Sequence, residues 1–145
     1  MSNELSHIDQ ALHNQTVIDS LALPNSDMWD WVTTIAFYKA LHLVEAVFSN
    51  DKEIGHGINH ENREKWLKTK PKYQQIAKYY RPLWAASMIA RYLQDEHGKF
   101  FNCFSDYLPP DKVKSDILNH YLHQVQKASE KFFSTGGKDR LAGKK

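Results

Sequence analysis

WVTTIAFYKALHLVEA, residues 31–46, is the stretch whose pattern decides the fold. Its apolar residues are not confined to one stripe. Phe37, Leu41, Val44 and Phe48 form one row at helical spacing, and Val32, Ile35, Ala36 and Leu43 form another. A helix apolar on several sides belongs at the centre of an all-α fold. A third face carries Trp31, Ile35, Tyr38, His42 and Glu45 at steps of four, three, four and three. Two ionisable groups therefore sit on the most apolar helix, where each needs a partner or a solvent-filled cleft because burial alone is costly. The helix is expected to open at Asn25 or Ser26, both good N-caps, with Asp27 and Asp30 where the dipole favours anions, and to run to about Phe48.

Working outward, Ile8, Leu12, Val17, Ile18 and Leu21 predict a helix from about Ser6 to Leu21, closed before Pro24. Downstream, Gly55, Gly57 and Asn59 mark a loop leading into a short basic helix from about His60 to Lys68. A long element is expected over Lys72 to His97, with Ile76, Tyr80, Leu83, Ser87 and Arg91 on one face and Gly98 as its stop. Pro82 lies inside it and predicts a kink or a restart. An aromatic loop follows over residues 99–110, and Asp111 then caps a last helix whose core face reads Val113, Ile117, Tyr121, Val125, Ala128 and Phe132. From Ser134 the chain turns Gly- and Lys-rich. The division expected is a helical domain over residues 1–133 and a flexible basic tail over 134–145. No stretch alternates with period two, so no strand competes.

Composition sets the bounds. With 145 residues, 41% apolar and 25% charged, the chain is long enough to bury about two thirds of its unfolded surface in one core. The lone Cys103 cannot form an internal bridge, and no basic-then-apolar leader precedes the first helix, which makes the cytoplasm the expected location. Lys39, His42 and Glu45 interrupt the most apolar segment, so no membrane span is expected. The net charge of +2 is unevenly spread: residues 1–51 hold seven Asp/Glu against Lys39, a formal −6, which leaves +8 for the remainder. The basic part favours a polyanion or an acidic partner.

Chemistry-bearing residues gather in the middle of the chain. His60 and Arg63 stand three apart on the short helix, and Ser87 and Arg91 four apart on the next. Each arginine offers the guanidinium fork that matches phosphate or carboxylate, and a salt bridge from Arg91 to Glu45 is the structural alternative. His56 and His60, four apart, are the pair nearest to a metal-ligand spacing, but no Cys or Glu-x-x-His motif supports them, so no metal and no cofactor is expected. Neither a Gly-rich phosphate loop nor a Gly-x-Ser-x-Gly elbow occurs.

The segments WVTTIAFYKALHLVEA (31–46), HENR (60–63) and YRPLWAASMIARY (80–92), in that order and spacing, resemble an uncharacterised bacterial branch of the HEPN superfamily. The resemblance covers about residues 29–92. It implies an antiparallel bundle of four to five helices, frequent homodimerisation, and RNase activity in toxin–antitoxin and phage-defence systems, with an antitoxin or nucleotidyltransferase as partner. HEPN nucleases carry an Arg followed after four to six residues by a His, a spacing that Arg91 and His97 meet. In that mechanism the His is acid/base for attack of the ribose 2′-OH on the adjacent phosphate and the Arg steadies the developing charge, without metal. The resemblance thus gives those roles to His97 and Arg91, with His42, Glu45, His60, Arg63 and Ser87 lining a polar cleft for RNA or nucleotide. Six positions along a regular helix separate two side chains by about 240°, so the pair meets only through a bend or a second subunit. The rival reading is a non-catalytic helical subunit that binds a protein partner.

Overall fold

The computed structural model describes residues 4–54 and 59–143. Helix accounts for most of them, and among the described residues there is no strand, only an isolated bridge between Gln94 and Phe100. Helix α1 spans Glu4–Leu21, α2 Trp29–Ser49, α3 His60–Thr69 and α4 Gln74–Tyr92. A one-turn α5 (Phe104–Tyr107) precedes a continuous helical run over 110–130: α6 (Pro110–Lys112), a π-helical segment (Val113–Leu122) and α7 (His123–Glu130). Helix α8 (Thr135–Leu141) ends the described chain.

The long helices pack side by side with neighbours antiparallel. Across α1 and α2, His7 meets His42 and Gln15 meets Lys39. Phe37 meets Tyr80, and Phe48 meets Tyr73 at the start of α4. Tyr79 meets His120, and Tyr73 meets Phe132, across α4 and the 110–130 run. Helix α2 is central, with Val32, Ala36, Ala40, Leu43, Val44, Ala46 and Phe48 fully enclosed. Burying each Leu or Phe there contributes about 1.5–3 kcal/mol. By length and a mean hydropathy of 1.2, α2 is the one helix among the described residues that passes as a membrane span, but 72% of that stretch is buried inside the molecule, where α1, α4 and the 110–130 run cover it.

Several boundaries differ from the sequence reading. Helix α2 starts at Trp29, three residues beyond Ser26, whose hydroxyl instead accepts the Met28 N–H in a turn. Helix α4 runs unbroken through Pro82, so no restart occurs there. It stops at Tyr92, not at His97, because Leu93 adopts a left-handed conformation (φ 53°). Leu93 is held in that strained region by the loop that folds back on it, Phe101 donating its N–H to the Leu93 carbonyl at 2.9 Å. Gly98 (φ 87°) serves the turn of this loop and does not cap the helix.

The last long helix is out of phase with the α-pattern read from the sequence. Its buried positions are Val113, Ile117, Leu122, Val125, Ser129 and Phe133, while Tyr121, Ala128 and Phe132 are only partly covered. The five-residue step from Ile117 to Leu122 lies in the π-helical segment, and the buried face moves one place from Tyr121, Ala128 and Phe132 to Leu122, Ser129 and Phe133 while Val125 keeps its seat.

Of the residues from Ser134, expected as a flexible basic tail, Thr135–Leu141 instead form α8, docked on α1, and residues 144–145 lie outside the described residues. Ser134 caps it by accepting from Gly137 N–H at 3.0 Å, and the buried Glu4 carboxylate receives the Ser134 hydroxyl and N–H together with the Asn50 amide. Gly137 is needed by space: a β-carbon there would run into the Glu4 carboxylate and come within 3.1 Å of Ile8 Cδ1. Gly137→Ala is therefore expected to cost about 1–3 kcal/mol and to loosen α8. Faster amide exchange over 135–141, with exchange in α2 unchanged, is the readout.

Candidate functional site

Helix α3 packs on α4 and reaches α2 through Arg63, which brings the predicted polar residues together. Asn59 caps it, its side-chain oxygen accepting the Asn62 N–H at 2.9 Å, which fixes the first turn and so the directions of His60 and Arg63. Arg63 Nη1 donates to Glu45 Oε1 at 3.2 Å, with the two side chains 11% and 5% exposed. The Tyr80 hydroxyl, almost fully enclosed, faces the same guanidinium, and burial keeps it well above the ordinary tyrosine value. His42 lies one turn before Glu45. Its Nδ1 is 3.0 Å from His7 Nδ1 and the rings stack with centroids 5.3 Å apart. Burial, and then the Arg63 charge, hold His42 below its usual value.

His60 forms the second half of the cluster. Its ring lies flat on Trp84, centroids 4.6 Å apart and planes 10° from parallel, and its Nε2 is 3.3 Å from Glu64 Oε2. The Arg81 guanidinium also sits over the Trp84 ring, and it pairs with Glu64 and, at 2.8 Å, with Glu96 Oε2. Burial, followed by the charges of Arg63, Arg81 and Arg91, holds the His60 imidazole below its ordinary value, against a smaller opposing effect of Glu61.

Arg91 lies at the rim. Its Nε donates to the Ser87 carbonyl at 3.2 Å and its Nη2 reaches Ser87 Oγ at 3.4 Å. Among the described residues its guanidinium has no carboxylate within ion-pair distance, and Glu45, the alternative partner read from the sequence, is engaged by Arg63. His97 lies outside the helix, in a turn where Asp95 Oδ1 accepts the His97 and Lys99 N–H groups at 2.9 Å. Its side chain is 83% exposed, and no contact joins it to Arg91 among the described residues. His56 lies outside the described residues.

The structure therefore groups His42, Glu45, His60, Arg63, Ser87 and Arg91 and leaves His97 apart. The sequence reading missed His7, Glu64, Arg81 and Trp84. Two of these had a local signal: Glu64 stands four residues after His60 and Trp84 three after Arg81, the spacings at which helical side chains meet.

Both cluster histidines have folded values below the ordinary 6.5, so near pH 6 the unfolded chain binds more protons than the folded one. Their stabilising contribution is complete above pH 6.5 and is lost as pH falls through that value toward the folded ones. The melting midpoint is expected to drop between pH 7.5 and 5.5, and a His42→Gln/His60→Gln variant to show a flatter profile. A slope identical in the variant would remove these residues as its source.

No family model matches the chain, and no curated protein or solved structure matches it.

Proposed function

We propose that the chain is a HEPN-like antiparallel bundle that engages RNA or a nucleotide through the α2–α3–α4 polar cluster. The observation that carries this reading is Arg91, a guanidinium at the rim with no carboxylate of its own among the described residues, in a cluster where Arg63 and Arg81 are already paired with Glu45, Glu64 and Glu96. A backbone phosphate is the chemical complement of such a rim. In the enzymatic form the protein is a metal-independent endoribonuclease acting as a homodimer, in a toxin–antitoxin or phage-defence setting with an antitoxin or nucleotidyltransferase partner. Arg91 would steady the phosphate charge. His97 would serve as acid/base, and because it is exposed and outside α4, a substrate or second subunit would have to bring it to Arg91.

The non-catalytic alternative, a helical subunit that binds a protein, draws on the internal satisfaction of Arg63 and Arg81 by carboxylates and on the exposed Trp31, Tyr92 and Phe100. One assay separates the two: total RNA and tRNA are incubated with the protein in EDTA, beside Arg91→Ala, His97→Ala and His60→Ala. Cleavage lost in Arg91→Ala and His97→Ala supports the proposed roles. Loss in His60→Ala but not in His97→Ala moves the acid/base role to His60. Absence of cleavage by the parent protein favours the interaction subunit.

A further inference from the structure

A second group of residues, apart from the polar cluster, surrounds Lys39 of α2. Lys39 is 7% exposed, and its ammonium donates to Gln15 Oε1 at 2.8 Å. Gln15 in turn donates to Asp19 Oδ1 at 2.8 Å. Among the described residues no carboxylate comes within ion-pair distance of Lys39, although Asp19 and Glu130 act on it at longer range. A lysine has three N–H donors and a neutral amide takes one of them, which leaves a buried cation short of both hydrogen bonds and a counter-ion.

Lys39 lines a half-open groove of about 370 Å³ between α1, α2 and the 110–130 run. Ile18, Leu118 and Leu122 give it an apolar side, and Gln15 and Gln126 add amides beside Lys39. The outer wall is the end of the π-helical segment and the start of α7. π-Helical turns are rare and concentrate at functional sites, because they forgo regular i→i+4 bonding.

We propose that this groove binds a small monocarboxylate with a short apolar chain, the carboxylate meeting Lys39 and the chain lying on Ile18, Leu118 and Leu122. The single positive charge decides the ligand class. One carboxylate neutralises one ammonium, whereas a phosphate dianion would face the fields of Asp19 and Glu130. The volume lies in the range of small-molecule sites, and Ile18, Ala22, Leu118 and Leu122 form its apolar side while Asp19, Asn119 and His123 complete a polar one. The site goes beyond the RNA reading and does not depend on it.

Calorimetric titration of the full chain with acetate, butyrate and hexanoate, with inorganic phosphate in parallel, tests the proposal. Affinity is expected to rise about fourfold per methylene along the series. Phosphate should give no heat of binding, Lys39→Arg should retain the response, and Lys39→Met should lose it. Ala22→Phe, which narrows the groove at its rim, should weaken hexanoate more than acetate and keeps the test open if Lys39→Met fails to fold. Absence of binding by the parent protein, a flat response along the series, phosphate binding as tight as butyrate, or undiminished binding by Lys39→Met would each overturn it.

Discussion

Replacing Glu45 by alanine is expected to lower the unfolding midpoint by about 10–15 °C, the equivalent of about 3–5 kcal/mol in a domain of this size. The physical reason is what the substitution leaves behind. Arg63 is 11% exposed and its Nη1 donates to Glu45 Oε1, so alanine takes a carboxylate away from a guanidinium that water reaches poorly. The adjacent Tyr80 hydroxyl offers that guanidinium an oxygen but no negative charge. Glu45→Gln keeps an acceptor and should cost less. A double variant, Glu45→Leu/Arg63→Leu, should recover much of the loss, because replacing both partners by apolar groups removes the desolvation cost together with the attraction. Chemical denaturation of the three variants is the measurement, and a cost under about 1 kcal/mol for Glu45→Ala would contradict the buried-pair reading.

Asp51→Ala should have the next largest effect, about 2–3 kcal/mol. The Asp51 carboxylate, 5% exposed, accepts from the buried Tyr73 hydroxyl at 2.7 Å and from the Glu53 N–H at 3.0 Å, and Lys72 Nζ lies 3.1 Å away. It thereby joins the end of α2 to the turn that opens α4. Burial pushes the carboxyl up, but Tyr73, the Glu53 N–H and Lys72 together outweigh it and hold the group at about 2. Its folded value is depressed, so its contribution is complete above the ordinary 3.8 and is lost as pH falls from there through about 2. After allowance for solvent screening at this loop, that contribution is about 1–2 kcal/mol. Unfolding curves of parent and Asp51→Ala at pH 7 and pH 2.5 should therefore differ by less at the lower pH; a constant difference would assign the effect to packing alone.

Helix α2 was legible because its residues carry their own reason for burial: apolar rows on several faces of one 21-residue helix leave nowhere but the centre. That Glu45 would need a partner was legible for the complementary reason, that ionisable groups on an apolar helix demand one, but the partner read from the sequence was Arg91 and the structure supplies Arg63. What failed depended on contacts distant in sequence. Gly98 looked like the natural stop of α4, but the chain leaves the helix at Leu93, where a returning hydrogen bond from Phe101 holds a left-handed leucine. The glycines after Ser134 looked like a loose tail, yet Gly137 is small because α8 seats against Glu4 and Ile8. Lys39 read as an interruption of an apolar run, since nothing local announces that Gln15 from α1 will meet it.

The π-helical segment has a consequence for how this chain tolerates change in length. Removing a residue from an ordinary helix turns everything beyond it by roughly 100°, which misplaces each later knob. Here a spare position already separates Ile117 from Leu122. Excising Asn119, which is exposed, would convert that step to four and let Leu122, Val125 and Phe133 keep their seats in a regular helix. Such a shortened chain would remain folded while the wall opposite Lys39 drew in, so length variation at this one spot would act on the groove and spare the core.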